Sequence, residues 1–373
     1  MRIFFTFLLA CLAVPLGAAE ARLNKALNEH VIFVKNSAGV FTTELETTIF
    51  KPDGNGPFPL AVINHGKEFG NPRWQPRARY VVAARELVHR GYVVMVPMRG
   101  GFSRSSGSYV SGGCNVAGNG LTQAADVRAA LDYAVGQAYV DRQRIVIIGQ
   151  SHGGLTTMAL GTSPYPGVRG LVNFAGGLRQ NDCAGWESNL AAAFADYGAK
   201  NPYPSLWFYG DNDSYWSPDL IKEMHSRYVR AGGKARLVSF GPFKEDAHKL
   251  FADRAGLPIW WPEFERFLRE LDLPVRPLAG QVHADDPQVR HLQQAGQTPV
   301  ISDNERCRTL YQTFMDADYP RAFAVSGKGR CGYAWGGEDP QKRALDFCRG
   351  TTAANCALFA VDDEVVWQSG VDN

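Results

Sequence analysis

The chain has 373 residues, of which 45% are hydrophobic and 20% are charged, the composition of an ordinary globular protein. Its 39 basic and 37 acidic side chains give a formal net charge of +2, and no run of basic residues suggests a polyanionic partner. The composition therefore offers no argument for nucleic-acid binding. The length suits one large domain followed by a small one.

The first residues have the organisation of a signal peptide. Arg2 supplies a positive charge, residues 3–16 are apolar, and Gly17-Ala18-Ala19 offers a small-residue cleavage site. Cleavage after Ala21 is the second choice. We predict a signal peptide over residues 1–19, no transmembrane segment after its removal, and an exported protein that is periplasmic or secreted.

Cysteine usage agrees with export. The chain has seven cysteines, and all except Cys11 lie beyond the predicted signal peptide. An even number of cysteines in an exported chain predicts disulfide bonds. We expect Cys114 to pair with Cys183 and the last four to pair among themselves, with Cys348 and Cys356 the favoured pair. The absence of any Cys-x-x-Cys sequence disfavours a zinc site, so no metal is expected.

Predicted strands and helices alternate along the first three quarters of the chain. Short apolar runs predict strands buried on both faces, and apolar residues at helical spacing predict helices. The predicted strands cover residues 30–34, 43–50, 60–64, 92–96, 144–148, 168–174, 205–209 and 235–240. The predicted helices cover residues 80–89, 121–135, 187–197, 218–231 and 262–271. This order indicates a mostly parallel central sheet with helices on both faces.

Composition divides the chain into two domains. We place the larger domain at residues 20–275 and interpret residues 276–300, rich in Pro, Gln, His and Asp, as a linker. Residues 301–373 are too few for a large core, so we predict a small α+β domain stabilised by disulfides. Because the last predicted helix of the larger domain ends at Leu271, we expect that domain to fold without the tail.

The most informative motif is Gly149-Gln150-Ser151-His152-Gly153, which follows an apolar run and precedes small residues at helical spacing. A strand, a sharp turn and a helix in this order form the context that a Gly-x-Ser-x-Gly nucleophile elbow requires. Such an elbow strains the serine backbone and exposes its hydroxyl, while glycines let the strand and helix approach closely. We therefore predict Ser151 as a catalytic nucleophile.

A serine nucleophile needs a base to take its proton and an acid to orient that base. In proteins with such an elbow on a mostly parallel sheet, the acid follows the serine along the chain, and the histidine follows the acid. Asp213 comes after the predicted strand over residues 205–209 and is preferred to Asp211, which is interpreted as a turn residue. His248 follows the last predicted strand and is the predicted base.

Other residues near these positions suit structural roles better. His225 lies in a helical pattern, and His283 and His291 lie in the predicted linker. The glycine-rich residues 98–107 lack the Lys-Ser/Thr pair of a phosphate-binding loop and are interpreted as a turn at the rim of the site.

The oxyanion formed during acyl transfer needs backbone N–H donors. The expected donors are the amide of His152, the residue after the nucleophile, and the amide of Lys67, in the loop after the third predicted strand. His65, in the same loop, is interpreted as a structural histidine that holds the loop by hydrogen bonds.

Residues 149–154, 209–213 and 241–248 resemble the dienelactone hydrolase-like branch of the α/β-hydrolases, over about residues 30–272. The resemblance implies an α/β-hydrolase fold and hydrolysis of small-molecule carboxylic esters or lactones through an acyl-enzyme, without a cofactor. Dienelactone hydrolases proper have a cysteine nucleophile where this chain has Ser151, so dienelactone itself is not an implied substrate. The order and spacing are also similar to prolyl-oligopeptidase-type domains, which leaves a serine peptidase or amidase as the alternative.

A third hypothesis is a binding protein on an inactive hydrolase fold, which the intact set of Ser151, Asp213 and His248 disfavours. The tail is similar to small secreted domains of unknown role that have a glycine-aromatic turn, a helix and paired cysteines, here at residues 331–336 and 344–348. That resemblance implies a disulfide-stabilised accessory module, with contact to a surface or polymer among its open roles.

Overall fold

The computed structural model describes residues 23–37, 42–278, 287–317, 321–335, 340–351 and 354–367. The predicted signal peptide lies outside these residues, as does part of the predicted linker. No helix within these ranges has the length and apolar character needed to cross a lipid bilayer.

The larger domain is built on an eight-stranded sheet. Its strands are β1 (His30–Asn36), β2 (Thr43–Phe50), β3 (Phe58–Asn64), β4 (Val93–Pro97), β5 (Val140–Gln150), β6 (Val168–Phe174), β7 (Pro204–Tyr209) and β8 (Lys234–Ser239). The spatial order is β1-β2-β4-β3-β5-β6-β7-β8. The pairs β1–β2 and β2–β4 are antiparallel, and the other neighbours are parallel. The prediction of a mostly parallel sheet is confirmed.

Six helices pack on the two faces of this sheet, namely α1 (Val81–His89), α2 (Val116–Val135), α3 (His152–Leu160), α4 (Trp186–Gly198), α5 (Pro218–Arg230) and α6 (Leu257–Glu270). The central strands are buried on both faces. In β3, Leu60 and Val62 belong to one core, whereas Ala61 and Ile63 belong to the core on the opposite face. This period of two along an entirely apolar strand explains why the sequence shows no polar alternation there.

Two helices begin five residues before their predicted starts, α2 and α6. The α2 helix begins five residues before the predicted start, because the Asn115 side chain accepts a hydrogen bond from the Gly118 amide at 2.8 Å and caps the helix. Glycines in that first turn obscured the apolar spacing. The α6 helix begins at Leu257, so Pro262, the predicted first residue, lies inside the helix.

The tail forms a second domain with its own sheet. It contains α7 (Pro287–Ala295), α8 (Pro299–Ser302), α9 (Glu305–Asp316), β9 (Arg321–Val325), β10 (Cys331–Trp335), α10 (Pro340–Arg349), β11 (Ala357–Val361) and β12 (Glu364–Val365). The four strands are antiparallel in the order β10-β9-β11-β12. The predicted α+β domain is therefore confirmed.

The start of this domain differs from the predicted linker over residues 276–300. The α7 helix lies within that range, and its Leu292 and Ala295 pack in one core with Ile301 and Phe323. Their apolar spacing is short and set among polar residues, so it was missed in the sequence. The core of the tail domain therefore includes residues before 301.

Three disulfides are present, joining Cys114 to Cys183, Cys307 to Cys331 and Cys348 to Cys356. The expected pairs Cys114–Cys183 and Cys348–Cys356 are confirmed. Each of these three bonds lies within one domain, so none of them links the larger domain to the tail.

The disulfides should differ in their contribution to stability. The double variant Cys114→Ser/Cys183→Ser opens a separation of 69 residues, and loop-closure entropy predicts a loss of about 4 kcal/mol in the free energy of unfolding. The matched variant Cys348→Ser/Cys356→Ser opens a separation of 8 residues and should lose about 2.5 kcal/mol. Urea denaturation monitored by tryptophan fluorescence measures both, and a larger loss for the shorter loop would contradict this ordering.

Candidate active site

Ser151 occupies a sharp turn between β5 and α3. Its φ of 56° and ψ of −124° are unusual for a residue other than glycine. A Cβ on Gly149 would lie 2.1 Å from the Gly153 carbonyl oxygen, and a Cβ on Gly153 would lie 1.9 Å from the Asn64 carbonyl oxygen. Both glycines are therefore required for the strand, the helix and the end of β3 to meet at this turn.

Asp213 and His248 are brought together from the loops after β7 and β8. The Asp213 side chain is fully buried, and its Oδ1 accepts hydrogen bonds from the Tyr215 and Trp216 amides at 2.9 and 3.1 Å. The His248 Nδ1 lies 3.0 Å from Oδ2 and 3.1 Å from Oδ1. Nδ1–H therefore donates to the carboxylate, which leaves Nε2 to act as a base. Asp211, in contrast, is exposed.

A second aspartate fixes the loop that carries His248. Asp246 accepts hydrogen bonds from the His248 amide at 3.0 Å and from the Ser214 amide and hydroxyl at 3.1 and 2.9 Å. Burial favours a higher pKa for Asp246, but these hydrogen bonds hold its pKa below the ordinary value. The Tyr215 ring packs on the imidazole with centroids 4.3 Å apart, so the His248 side chain is held on two sides.

The loop after β3 presents an amide without an acceptor beside Ser151. The Gly66 amide donates to the Tyr80 hydroxyl at 3.2 Å, and the Glu68 amide donates to Gln75 Oε1 at 3.0 Å. In the part of the chain that the structure describes, the amide of Lys67 between them has no acceptor, and neither has the amide of His152. A Cβ on Gly66 would lie 3.4 Å from the Ser151 Cβ, so this loop faces the elbow directly.

The two histidines beside these amides are buried and serve structural contacts. His65 Nε2 accepts from the Arg99 amide at 3.1 Å, and its Nδ1–H donates to the Gly66 carbonyl at 2.6 Å. His152 Nδ1 accepts from the Arg99 guanidinium at 3.1 Å, and its Nε2–H donates to Asn119 at 2.7 Å. The His152 ring therefore does not line the cleft. Burial and the Arg99 charge hold the pKa of both histidines well below their ordinary value.

A tyrosine and a glutamine link the predicted oxyanion loop, which follows β3, to His248. The Tyr80 hydroxyl, which accepts from Gly66, donates to Gln150 Oε1 at 2.8 Å. Gln150 Nε2 donates to the His248 carbonyl at 2.9 Å. Neither residue was predicted to be functional. Gln150 lies at the variable position before the serine, and Tyr80 showed only as the start of a predicted helix.

Ser151 and His248 open onto a cleft of about 350 Å³. Its charged lining includes the basic residues Lys67, Arg77, Arg79 and Lys249 and the acidic residue Glu68. The volume lies at the lower end of the range of small-molecule sites. Among the described residues, no group of three or more His, Cys, Asp or Glu side chains is arranged to hold a metal ion.

Comparison with known proteins agrees with the fold. The family model described as X-Pro dipeptidyl-peptidase (S15 family) matches residues 39–204, a part that contains Ser151 but neither Asp213 nor His248. No curated protein sequence matches the chain.

Several solved structures share the architecture. A candidate dipeptidyl aminopeptidase IV from Bacteroides ovatus is 18% identical with a TM-score of 0.51, over 65% of this chain and 35% of its own. A puromycin-hydrolyzing peptidase from Mycobacterium tuberculosis is 18% identical with a TM-score of 0.48, over 67% and 40% of the two chains. A candidate dienelactone hydrolase from Klebsiella pneumoniae is 16% identical with a TM-score of 0.46, over 65% and 98%.

The larger domain therefore has the α/β-hydrolase fold, as the resemblance in the sequence implied. Sequence identities this low are evidence for a shared fold and not for a shared substrate. Because the matched region spans only 35% and 40% of the two peptidase chains, their activities belong to larger proteins.

The two aspartates of the acid loop give a direct test of the site. Asp213→Asn removes the acceptor that fixes the His248 tautomer, so turnover of an ester substrate should fall about 10⁴-fold. Asp211→Asn, two residues away and exposed, should leave turnover unchanged. Steady-state kinetics with a p-nitrophenyl ester measure both, and a greater loss for Asp211→Asn would move the acid to that position.

The buried histidines should make stability depend on pH. Below pH about 6.5 the unfolded chain protonates His65 and His152, whereas the folded protein, with depressed pKa values, does not. The unfolded state then binds more protons, so the free energy of unfolding should fall as pH falls, by up to about 1.4 kcal/mol per pH unit for each histidine.

Urea denaturation between pH 7.5 and 5 measures this slope. His65→Gln should reduce it. A pH-independent free energy of unfolding across this range would contradict neutral buried histidines.

Proposed function

We propose that the protein is an exported serine hydrolase that cleaves carboxylic esters or lactones of small molecules through an acyl-enzyme. The observation that supports this most is the hydrogen bond between the buried Asp213 carboxylate and His248 Nδ1, at a cleft that also contains the strained Ser151. A nucleophile, an oriented base and free amide donors then share one site.

The geometry assigns a role to each group. His248 Nε2 takes the Ser151 hydroxyl proton as Oγ attacks the ester carbonyl carbon, and the Lys67 and His152 amides donate to the resulting oxyanion. His248 then returns the proton to the alcohol as the carbon–oxygen bond breaks. Water, deprotonated by the same imidazole, attacks the acyl-enzyme and releases the acid.

The charge of the cleft favours an ester substrate over a peptide substrate with a cationic amino terminus. A dipeptidyl-peptidase must accept a cationic amino group near its nucleophile, whereas basic side chains outnumber acidic ones among the residues lining this cleft. Lys67 and Lys249 would oppose such a group, whereas Arg77 and Arg79 are already paired with Glu29 and Asp362. A serine peptidase or amidase remains the second candidate because of the S15 family match.

Export is supported by cysteine chemistry. The two domains contain three disulfides, and disulfides persist in oxidising compartments such as the bacterial periplasm or the extracellular medium. The predicted signal peptide over residues 1–19 completes this proposal.

A substrate panel tests the proposal. Purified protein should hydrolyse p-nitrophenyl esters of short acyl chains and simple lactones faster than X-Pro p-nitroanilides. Ser151→Ala should lower ester turnover at least about a thousandfold. His248→Ala should be comparably severe, whereas the control His225→Ala, on α5, should retain activity.

The outcomes separate the classes. Faster cleavage of anilides than of esters would support the peptidase alternative. If wild-type protein neither hydrolyses any substrate nor reacts with a fluorophosphonate at Ser151, the binding-protein hypothesis replaces the enzyme.

A further inference from the structure

The turn between β11 and β12 joins the tail to the larger domain through two buried carboxylates. Asp362 and Asp363 are 6% and 2% exposed. Asp362 Oδ2 lies 2.5 Å from Arg79 Nη1, and Asp363 pairs with Arg85 and with Arg254, the latter at 3.3 Å. The tail is therefore bound to the larger domain by ion pairs at this turn, and the expectation that the larger domain folds without the tail stays a prediction.

The same carboxylates are fixed within the tail. Asp362 Oδ1 accepts from the Arg321 amide at 3.0 Å, and Asp363 Oδ1 accepts from the Arg321 guanidinium at 2.9 Å. Arg321 is fully buried at the start of β9. The turn is thus held rigidly by its own domain while its carboxylates reach across to arginines of the other.

Asp362 matters to Arg79 because Glu29, another carboxylate that binds Arg79, is shared with Arg77. Glu29 accepts from Arg79 Nε at 2.7 Å and also pairs with Arg77 at 3.0 Å. Without Asp362, Arg79 would lose the carboxylate that faces its Nη1, whereas Arg77 would still pair with Glu29 and Glu46. Removing one partner of a buried ion pair drives rearrangement. Arg79 lines the cleft, so it would be free to move towards solvent there.

Arg79 directly precedes the residue that connects the oxyanion loop to the base. Tyr80 has a φ of 49° at the start of α1, and its side chain bridges the Gly66 amide and Gln150. Gln150 in turn holds the His248 carbonyl. Because Arg79 and Tyr80 are consecutive, a backbone shift at Arg79 after loss of its anchor would also displace the Tyr80 hydroxyl.

We propose that Asp362 of the tail is a positioning residue for the active site. By anchoring Arg79 it places Tyr80, and through Tyr80 it places both the loop with the Lys67 amide and the backbone of His248. The tail is then part of the catalytic unit. This proposal goes beyond the proposed function and uses it only for an activity readout.

The first test replaces the charge and keeps the backbone. Asp362→Asn suits the positive φ of 51° at this position, since asparagine tolerates the left-handed region. We expect Ser151 to react with a fluorophosphonate about tenfold more slowly, and kcat for an ester to fall by a similar factor with little change in KM. Glu364→Gln, a half-buried carboxylate two residues on, is the matched control and should leave both rates unchanged.

A double-mutant cycle tests the route through Tyr80. Tyr80→Phe removes the hydroxyl and should slow labelling to a similar degree. Asp362→Asn in the Tyr80→Phe background should then add little, because both changes act on one connection. Additive losses would overturn the route, as would an Asp362→Asn variant that labels at the wild-type rate while only its melting temperature falls.

Amide hydrogen exchange keeps the proposal testable whatever the activity. Residues 65–68 should exchange faster in Asp362→Asn than in wild type, and not in Glu364→Gln. Unchanged exchange there would overturn the proposal, whereas a wild type that fails to label would overturn only the proposed function. If Asp362→Asn does not fold, Asp362→Glu, which keeps the charge but displaces Arg79, enters the same measurements with the same expected outcomes.

Discussion

The contact between Gly153 and the Asn64 carbonyl oxygen is the constraint from which the site follows. No side-chain atom fits between them, since a Cβ on Gly153 would lie 1.9 Å from that oxygen. Asn64 ends β3 and leads into the oxyanion loop, while Gly153 lies in the first turn of α3. The Asn64 side chain also donates to Thr157 of the same helix at 2.8 Å. The strained serine and the loop that faces it are therefore fixed to each other through backbone.

Arg99 adds an electrostatic constraint behind this contact. It is fully buried, and burial lowers its pKa to about 10. Its amide donates to His65 and its guanidinium donates to His152, so each imidazole must present a lone pair to it. Protonation of either ring would remove that acceptor and place two cations together in a region without water contact. One residue thus sets the tautomers of both histidines, through its backbone amide at His65 and its guanidinium at His152.

The parts of this structure that sequence predicted are those encoded locally. The elbow at Ser151 is a contiguous motif, and Asp213 and His248 follow strands whose apolar runs are unmistakable. The parts that were missed depend on contacts between distant residues. The α7 helix has few apolar residues, and only its packing in the tail core shows that Leu292 faces inward. Tyr80 gains its role only from the position of Gln150, and Asp362 reaches Arg79 across 283 residues of chain. No local pattern encodes such pairs.

The separation between Arg79 and Asp362 has a consequence for the order of folding. Contacts between residues so far apart form late, because closing a long loop must precede them. A chain is synthesised amino terminus first. Its residues 79–80 and the serine elbow are therefore made long before Asp362, the carboxylate that binds Arg79. The newly made hydrolase domain would pass through a stage with its sheet formed and its cleft wall incomplete. Maturation of the cleft wall would then coincide with docking of the tail.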